Sequence, residues 1–376
     1  MNDYMTLRDL ISSANTLRCG DETYPVLSMT MHDGIVLQND RFKKSLASID
    51  KSNYKVVKQG QLVVGFPIDE GVLYVQKIVN KGIMSPAYNV WNINSDVVDV
   101  DYLEMCLHSP QAMQFYKGHL RGTTARRRSI PTETLLSLKV YIPSFDVQKR
   151  IVFNIDKINS LISKRRQQLA SLDLLVKARF VEMFIGKGYP LKTVDELSLS
   201  KGEYGAQSAS IEYNPIRPRY VRITDINDDG TLNNDLVSSV NIDDDKAYRL
   251  EYGDFLFARM GATVGKTYVY LGGSQIFAGY LIRYKLNLKL INPRYLFWYT
   301  KLDEYWSWVK LNQSGAAQPG INAKKYGMLQ IPLPPLSLQN QFADFVARVD
   351  KTKLAAQKSL QELETLKKAL MQQYFG

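Results

Sequence analysis

Two stretches of the chain share one stepping of apolar positions, alternately four and three residues apart. From Ile151 it passes through Ile155, Ile158 and Ile162, then Leu169, Leu172, Val176 and Met183, with Arg165 and Arg179 in the skipped slots. Near the end it runs through Phe342, Val346 and Val349, then Ala356, Leu360, Leu363, Leu370 and Tyr374, interrupted by Lys353 and Lys367. A 3.5-residue repeat kept over about five heptads predicts a coiled-coil seam. Neither stretch contains proline, and Pro143 and Pro334-Pro335 stand just before them, where extended chain gives way to helix. A helix from Asp146 to Phe184 would be about 58 Å long at 1.5 Å per residue. Such a helix cannot bury its stripe alone, so the two are expected to pair with each other as an antiparallel coiled coil.

The two stretches belong to a longer internal repeat. The segment "VYIPSFDVQKRIVFNIDKINSLISKRRQQLASLDLLVKARFVEMF" aligns without a gap, at an offset of 191, with "IPLPPLSLQNQFADFVARVDKTKLAAQKSLQELETLKKALMQQYF" from Ile142 against Leu333 onward. Gln148 meets Gln339, and Phe184 meets Phe375. Upstream, with small indels, "GQLVVGF" from Gly60 lies on "GDFLFAR" from Gly253, and Tyr102-Leu103 lies on Tyr295-Leu296. "RGTTARRRSIP" from Arg121 lies on "SGAAQPGIN" from Ser314, and "YPVLSMTMHDG" from Tyr24 more weakly on "YVRITDINDDG" from Tyr220. The expected organisation is a globular segment over 1–145, a helix over 146–186, a second globular segment over 187–335 and a second helix over 336–376.

Charge narrows the function. The chain of 376 residues has 48 Lys and Arg against 37 Asp and Glu, a net charge of +11, together with 23 tyrosines. A basic protein rich in aromatics suggests a nucleic-acid partner, since cations neutralise phosphates while aromatics and amides read bases. Solubility charge with no partner is the alternative. Cys19 and Cys106 have no metal or redox spacing, so reduced thiols are expected. No signal-peptide core follows Asp3, Arg8 and Asp9, and no apolar run is long enough for a membrane span, so a cytoplasmic protein is expected.

Several fragments imitate catalytic motifs. "GATVGKT", Gly261 to Thr267, has only three residues between its first glycine and Gly-Lys-Thr, one fewer than a phosphate-binding loop. The β-branched and aromatic run after it reads as a strand, so its glycines are read as turn residues. "FIGKG", Phe184 to Gly188, fits an S-adenosylmethionine loop, and "SPAY", Ser85 to Tyr88, approaches an amino-methyltransferase motif. Yet Gly186 and Gly188 follow a long helix, where glycine serves the left-handed turn. The repeat partner of "SPAY" is "FAGY", Phe277 to Tyr280, which lacks both prolines. His32, His108 and His119 have no ligand spacing, and Asp243-Asp244-Asp245 reads as a solvated turn. No catalytic residue, metal or cofactor is expected.

Taken in order, "IPSFDVQKRIVFNIDKI", "GEYGAQSASIEYNPIRPRYVRITDIND" (Gly202 to Asp228), "YGDFLFARMGATVGK", "GAAQPGIN" and "IPLPPLSLQNQFADFVARVD" resemble the specificity (S) subunit of type I restriction-modification systems. The resemblance spans nearly the whole chain. It departs where the first copy has "IPSFDVQKR" for a proline-proline-leucine run and where the first half lacks Gly-Glu-Tyr-Gly. It implies an α+β, pseudo-twofold protein: two duplicated target-recognition domains, each a twisted sheet with helices, joined by the paired helices. It further implies that each domain reads one half of a bipartite double-stranded DNA target. The helices would set the spacer and dock two adenine-N6 methyltransferase (M) subunits, with endonuclease (R) subunits completing the complex. The S subunit itself would do no chemistry. Half-sites about one helical turn apart, near 34 Å, are expected.

The residues expected to touch DNA lie in polar and basic loops. In the second half these are Arg217, Arg219 and Arg222 around Tyr220, with Arg259 and Lys266 flanking the Gly261 turn. Arginine bridges guanine O6 and N7, while Gln207 and Gln318 suit adenine. In the first half, Arg121, Thr123, Thr124, Arg126, Arg127 and Arg128 form a cluster expected to meet phosphates, which need little geometry. Lys164-Arg165-Arg166 stands open between DNA along the helices and acidic patches on the methyltransferase subunits. Two rival functions follow from the same residues: a self-sufficient adenine methyltransferase using Phe184–Gly188, and a coiled-coil scaffold that binds only protein.

Overall fold

The computed structural model of the chain describes residues 4–31, 33–41, 50–120, 128–242, 244–315 and 319–376. The chain divides into two compact units, 1–166 with 358–376, and 167–357.

The first unit is built on four antiparallel strands in the order Ile11–Ser13, Asn89–Ile93, Leu62–Val64, Leu73–Val75. Successive side chains of a strand face opposite ways. Leu62 and Val64 accordingly enter one core with Tyr102, Leu103, Tyr116 and Val140, while Val63 enters another with Leu27, Val57 and Met84. Covered on both faces, the strand Leu62–Val64 is apolar throughout rather than alternating. The second unit repeats the plan, with strands in the order Glu203–Tyr204, Leu281–Tyr284, Phe255–Ala258, Thr267–Val269. Here Phe255 and Phe257 face a core containing Tyr284, Tyr295 and Tyr326, and Leu256 and Ala258 face one containing Val221 and Phe277.

Each unit also ties its beginning to the strand before a long helix. Tyr4–Thr6 pairs with Lys139–Tyr141, and Leu191–Thr193 pairs with Gln330–Pro332, both antiparallel. The peripheral pairings correspond as well: Ile83 meets Val56 antiparallel and Val26 parallel, and Ile276 meets Arg249 antiparallel and Tyr220 parallel.

The two long helices are Phe145–Phe184 and Leu336–Phe375, forty residues each. In the first unit, Asn154 Nδ2 donates to the Tyr374 hydroxyl at 3.4 Å and Arg165 Nε to Ser359 Oγ at 3.2 Å, so the two helical segments run antiparallel. In the second, Phe180 and Phe184 meet Phe342 edge-on at 5.2 and 5.5 Å, and Lys353 pairs with Asp173 at 2.6 Å, again antiparallel. Ile151, Ile155, Ile158, Ile162, Phe342, Val346 and Val349 are buried. Leu169, Leu172, Leu360, Leu363 and Leu370 are half-buried. Ile151 and Ile155 join the core of the first unit, and Phe342, Val346 and Val349 join that of the second; those contacts complete their burial. Three of the four charged residues that interrupt the stepping are satisfied locally, Arg165 by Ser359, Lys353 by Asp173, and Arg179 by Glu182 at 2.8 Å.

A glutamine fixes the start of each long helix. Gln148 is fully buried; its Oε1 accepts from the Asp99 N–H at 2.8 Å and its Nε2 donates to the Pro143 carbonyl at 2.8 Å. Gln339, also fully buried, accepts from the Asn292 N–H at 2.8 Å and donates to the Pro334 carbonyl at 2.8 Å. Asp99 and Asn292 each cap the short helix that follows them. A buried side-chain amide thus locks a cap to a helix entry in both units. The Tyr102 hydroxyl donates to the Tyr141 carbonyl at 2.9 Å, and the Tyr295 hydroxyl to that of Pro332 at 2.6 Å.

Candidate nucleic-acid interface

A cleft with a polar lining lies in the second unit. Its construction begins at Gly205, where a Cβ would lie 2.4 Å from the carbonyl oxygens of Phe277 and Ala278. Only glycine lets the chain come this close. Ala206 then bridges Ala278, and the Gly279 N–H donates to the Ala206 carbonyl at 2.7 Å. Tyr220 is 3% exposed, and its hydroxyl lies 2.7 Å from the Ala206 carbonyl and 3.0 Å from that of Ser208. Its side chain therefore anchors the 206–210 segment from below, leaving Gln207, Ser208 and Ser210 on the surface. The resulting cleft, about 690 Å³, is lined by Gln207, Ser210, Arg222, Thr224, Arg259 and Tyr280.

The basic residues singled out in the sequence sit in different surroundings. The Arg222 guanidinium grips buried Asp225 through Nε at 3.3 Å and Nη2 at 2.8 Å, and reaches the Leu236 carbonyl at 3.0 Å. Arg219 donates to Asn234 Oδ1 at 2.8 Å and to the Asn233 carbonyl. Arg217 reaches the Val240 carbonyl at 3.4 Å. Lys266 pairs with exposed Asp228 at 2.8 Å, which holds that carboxyl below its usual range, and donates to the Ile226 carbonyl at 3.2 Å. Arg259 differs: its guanidinium lies over the rings of Tyr204 and Tyr280, at 4.8 and 5.9 Å from their centroids. The sequence reading passed over both tyrosines. Their signals were present, Tyr204 within Gly-Glu-Tyr-Gly and Tyr280 within "FAGY", but only folding brings them to Arg259.

Lys301, over the Phe297 ring at 4.5 Å and donating to the Asp228 carbonyl at 2.8 Å, is pushed down to about 8 by burial. In the first unit, Arg128 pairs with buried Asp69 at 2.9 Å, and its carbonyl accepts from the Ile68 N–H at 3.4 Å. Arg121, Thr123, Thr124, Arg126, Arg127 and Gln318 lie outside the described residues. On the helices, Arg166 pairs with Glu364 at 2.7 Å.

The look-alike motifs have plain geometry. Gly261–Thr263 is a single 3-10 turn, and Gly265, at φ +90°, leads into the strand Thr267–Val269. A Cβ on Gly265 would meet Val309 at 2.9 Å, a second reason for glycine there. Gly186 and Gly188 take left-handed conformations at φ +70° and +68° just beyond the helix ending at Phe184. Among the described residues, no group of three His, Cys, Asp or Glu is placed to hold a metal, and no helix is long and apolar enough to cross a membrane.

Comparison with known proteins places this geometry. Residues 195–365 match the type I restriction modification DNA specificity domain. The chain is 29% identical over 122 residues to the type I restriction enzyme MjaVIII specificity subunit of Methanocaldococcus jannaschii, a match covering 32% of this chain and 28% of that protein. Its fold resembles the crystal structure of a type I restriction-modification S subunit from M. genitalium, with a TM-score of 0.62, 13% identity, and 99% and 96% of the two chains covered. A chain from a type I R-M system studied for complex assembly gives a TM-score of 0.59 at 17% identity, covering 99% of this chain and 97% of that one. The resemblance read from the sequence motifs therefore stands: the chain is similar to type I restriction-modification specificity subunits, and residues 195–365 match their DNA specificity domain.

Proposed function

We propose that this protein is a non-catalytic, sequence-specific DNA-binding subunit, the specificity component of a type I restriction-modification complex. Each globular segment, 1–145 and 187–335, reads one half of a bipartite duplex target. The helical segments 146–186 and 336–376 set the unread spacer and dock two methyltransferase subunits, and endonuclease subunits join the full complex in the cytoplasm. The observation that carries this reading is a duplicated interior with diverged surfaces. The glutamine lock and the sheet order are the same in both units, whereas the positions facing outward differ, Phe66 with Tyr88 in one and Arg259 with Tyr204 and Tyr280 in the other. A shared interior preserves one frame, and unlike surfaces suit two unlike half-sites. A net charge of +11 supports a polyanionic partner. The test is to co-express the chain with its methyltransferase subunit and map adenine methylation across a host genome. A single bipartite motif with a fixed gap, lost when either protein is omitted, is the expected result; a stable complex that methylates nothing would overturn it.

A further inference from the structure

We infer that Arg259 reads a guanine in the half-site addressed by the second unit, with Tyr204 and Tyr280 holding its guanidinium flat; this rests on the DNA-binding function proposed above. The four other basic residues singled out in this unit hydrogen-bond to the protein. Arg217 binds the Val240 carbonyl, Arg219 binds Asn234, Arg222 binds Asp225, and Lys266 binds Asp228. Of the five, Arg259 alone has a side chain that makes no hydrogen bond or ion pair among the described residues, and its buried Nε has no partner there. With Nε buried and the guanidinium carbon over two tyrosine rings, the terminal nitrogens are left for the cleft that the residue lines.

The chemistry separates a base contact from a phosphate contact. A phosphate needs a nearby positive charge, which a mobile lysine on the surface supplies. Desolvating a guanidinium and freezing its long side chain costs entropy and hydration. Such ordering is useful where direction matters, and the planar fork of arginine matches guanine O6 and N7 with two parallel donors. The tyrosine faces stabilise the cation without competing for those donors. The Arg259 N–H donates to the Tyr280 carbonyl at 3.0 Å and its carbonyl accepts from the Ile321 N–H at 2.9 Å, so the main chain beneath the side chain is fixed as well. In the first unit the aligned residue is Phe66, whose ring lies 5.9 Å from that of Tyr88. That unit has no cation at this position, so the guanine contact belongs to one half-site only.

The experiment selects bound duplexes from a random library with the full chain in complex with its methyltransferase subunit. It compares the wild type with Arg259→Lys, Tyr280→Phe and Tyr280→Leu, and melting temperatures check that each variant folds. The wild type is expected to yield a two-part motif with a guanine in one half. Arg259→Lys keeps the charge but should reduce preference at that one position about ten-fold or more, leaving the other positions and the spacer intact. Tyr280→Phe should match the wild type, and Tyr280→Leu should weaken the same position. An Arg259→Lys motif unchanged at every position, or a preference reduced evenly across all of them, would overturn the inference while the DNA-binding function stands. A wild-type complex with no two-part preference would overturn the function and the inference with it.

Discussion

In the first unit Phe66 packs beside Tyr88, while in the second the aligned position holds Arg259 against Tyr204 and Tyr280. A few residues inward the difference vanishes: Gln148 and Gln339 make the same two bonds, and Tyr102 and Tyr295 reach equivalent carbonyls. Buried groups are constrained by one another, since an amide without its partner costs stability, whereas surface groups answer only to what they bind. The duplicated chain thus separates what supports the fold from what can vary between half-sites.

The largest effect should come from replacing the second globular segment by that of a relative. Methylation mapping should then find one half of the motif changed and the other half and the spacer unaltered; changes in both halves would break the modular comparison. Shortening both long helices by one heptad should change the spacer and leave both half-sites readable, whereas altered half-sites with an unaltered gap would remove the helices from spacing.

Next come the glutamine locks. Gln148→Ala and Gln339→Ala should each cost about 1–3 kcal/mol, because each leaves buried backbone polar groups unpaired. Denaturant midpoints of the two variants should shift alike; a large loss in one and none in the other would mean that the frames are not equivalent. Removing a single hydroxyl should do less: Tyr102→Phe and Tyr295→Phe are each expected to cost about 1 kcal/mol, again in parallel.

The smallest effect distinguishes the units by pH. Lys301 is held near 8 in the folded protein, below the 10.5 of an ordinary lysine. Between those values the unfolded chain binds more protons than the folded one, so stability should rise as pH increases from about 8 towards 10.5. The Tyr102–Tyr295 alignment puts His108 at this place in the first unit, stacked on Tyr74 at 4.8 Å, so no lysine stands there. Lys301→Met should remove a change on the order of 1 kcal/mol, measured as melting temperature against pH; an unchanged profile would show that burial does not lower the amine's pKa.

Much of the fold could be read in the residues because its signals are local. The stepping from Ile151 and from Phe342 needs only neighbouring turns to declare a helix, and the offset of 191 reveals the duplication without coordinates. The glycines of the false phosphate loop were equally legible, since a following β-branched run already opposes a helix there. The cleft was less so. Tyr220 stood out as a polar-loop aromatic, yet its ring is buried and its hydroxyl anchors the segment above it. Arg219 and Arg222 stood beside Arg217 as apparently equal cations, but Asn234 and Asp225 engage two of them.

The sequence by itself determined the long helices, their seam, the double frame and the family likeness, because periodicity and repetition are properties of residues near one another or of the same spacing twice. Tertiary structure alone decided which of the basic side chains singled out in the second unit is left without a hydrogen-bonding partner among the described residues. That choice depends on Tyr204, Arg259 and Tyr280 converging from separate segments, and on a glycine at 205 whose missing side chain lets two backbones touch. Proximity across a fold leaves no period in the chain.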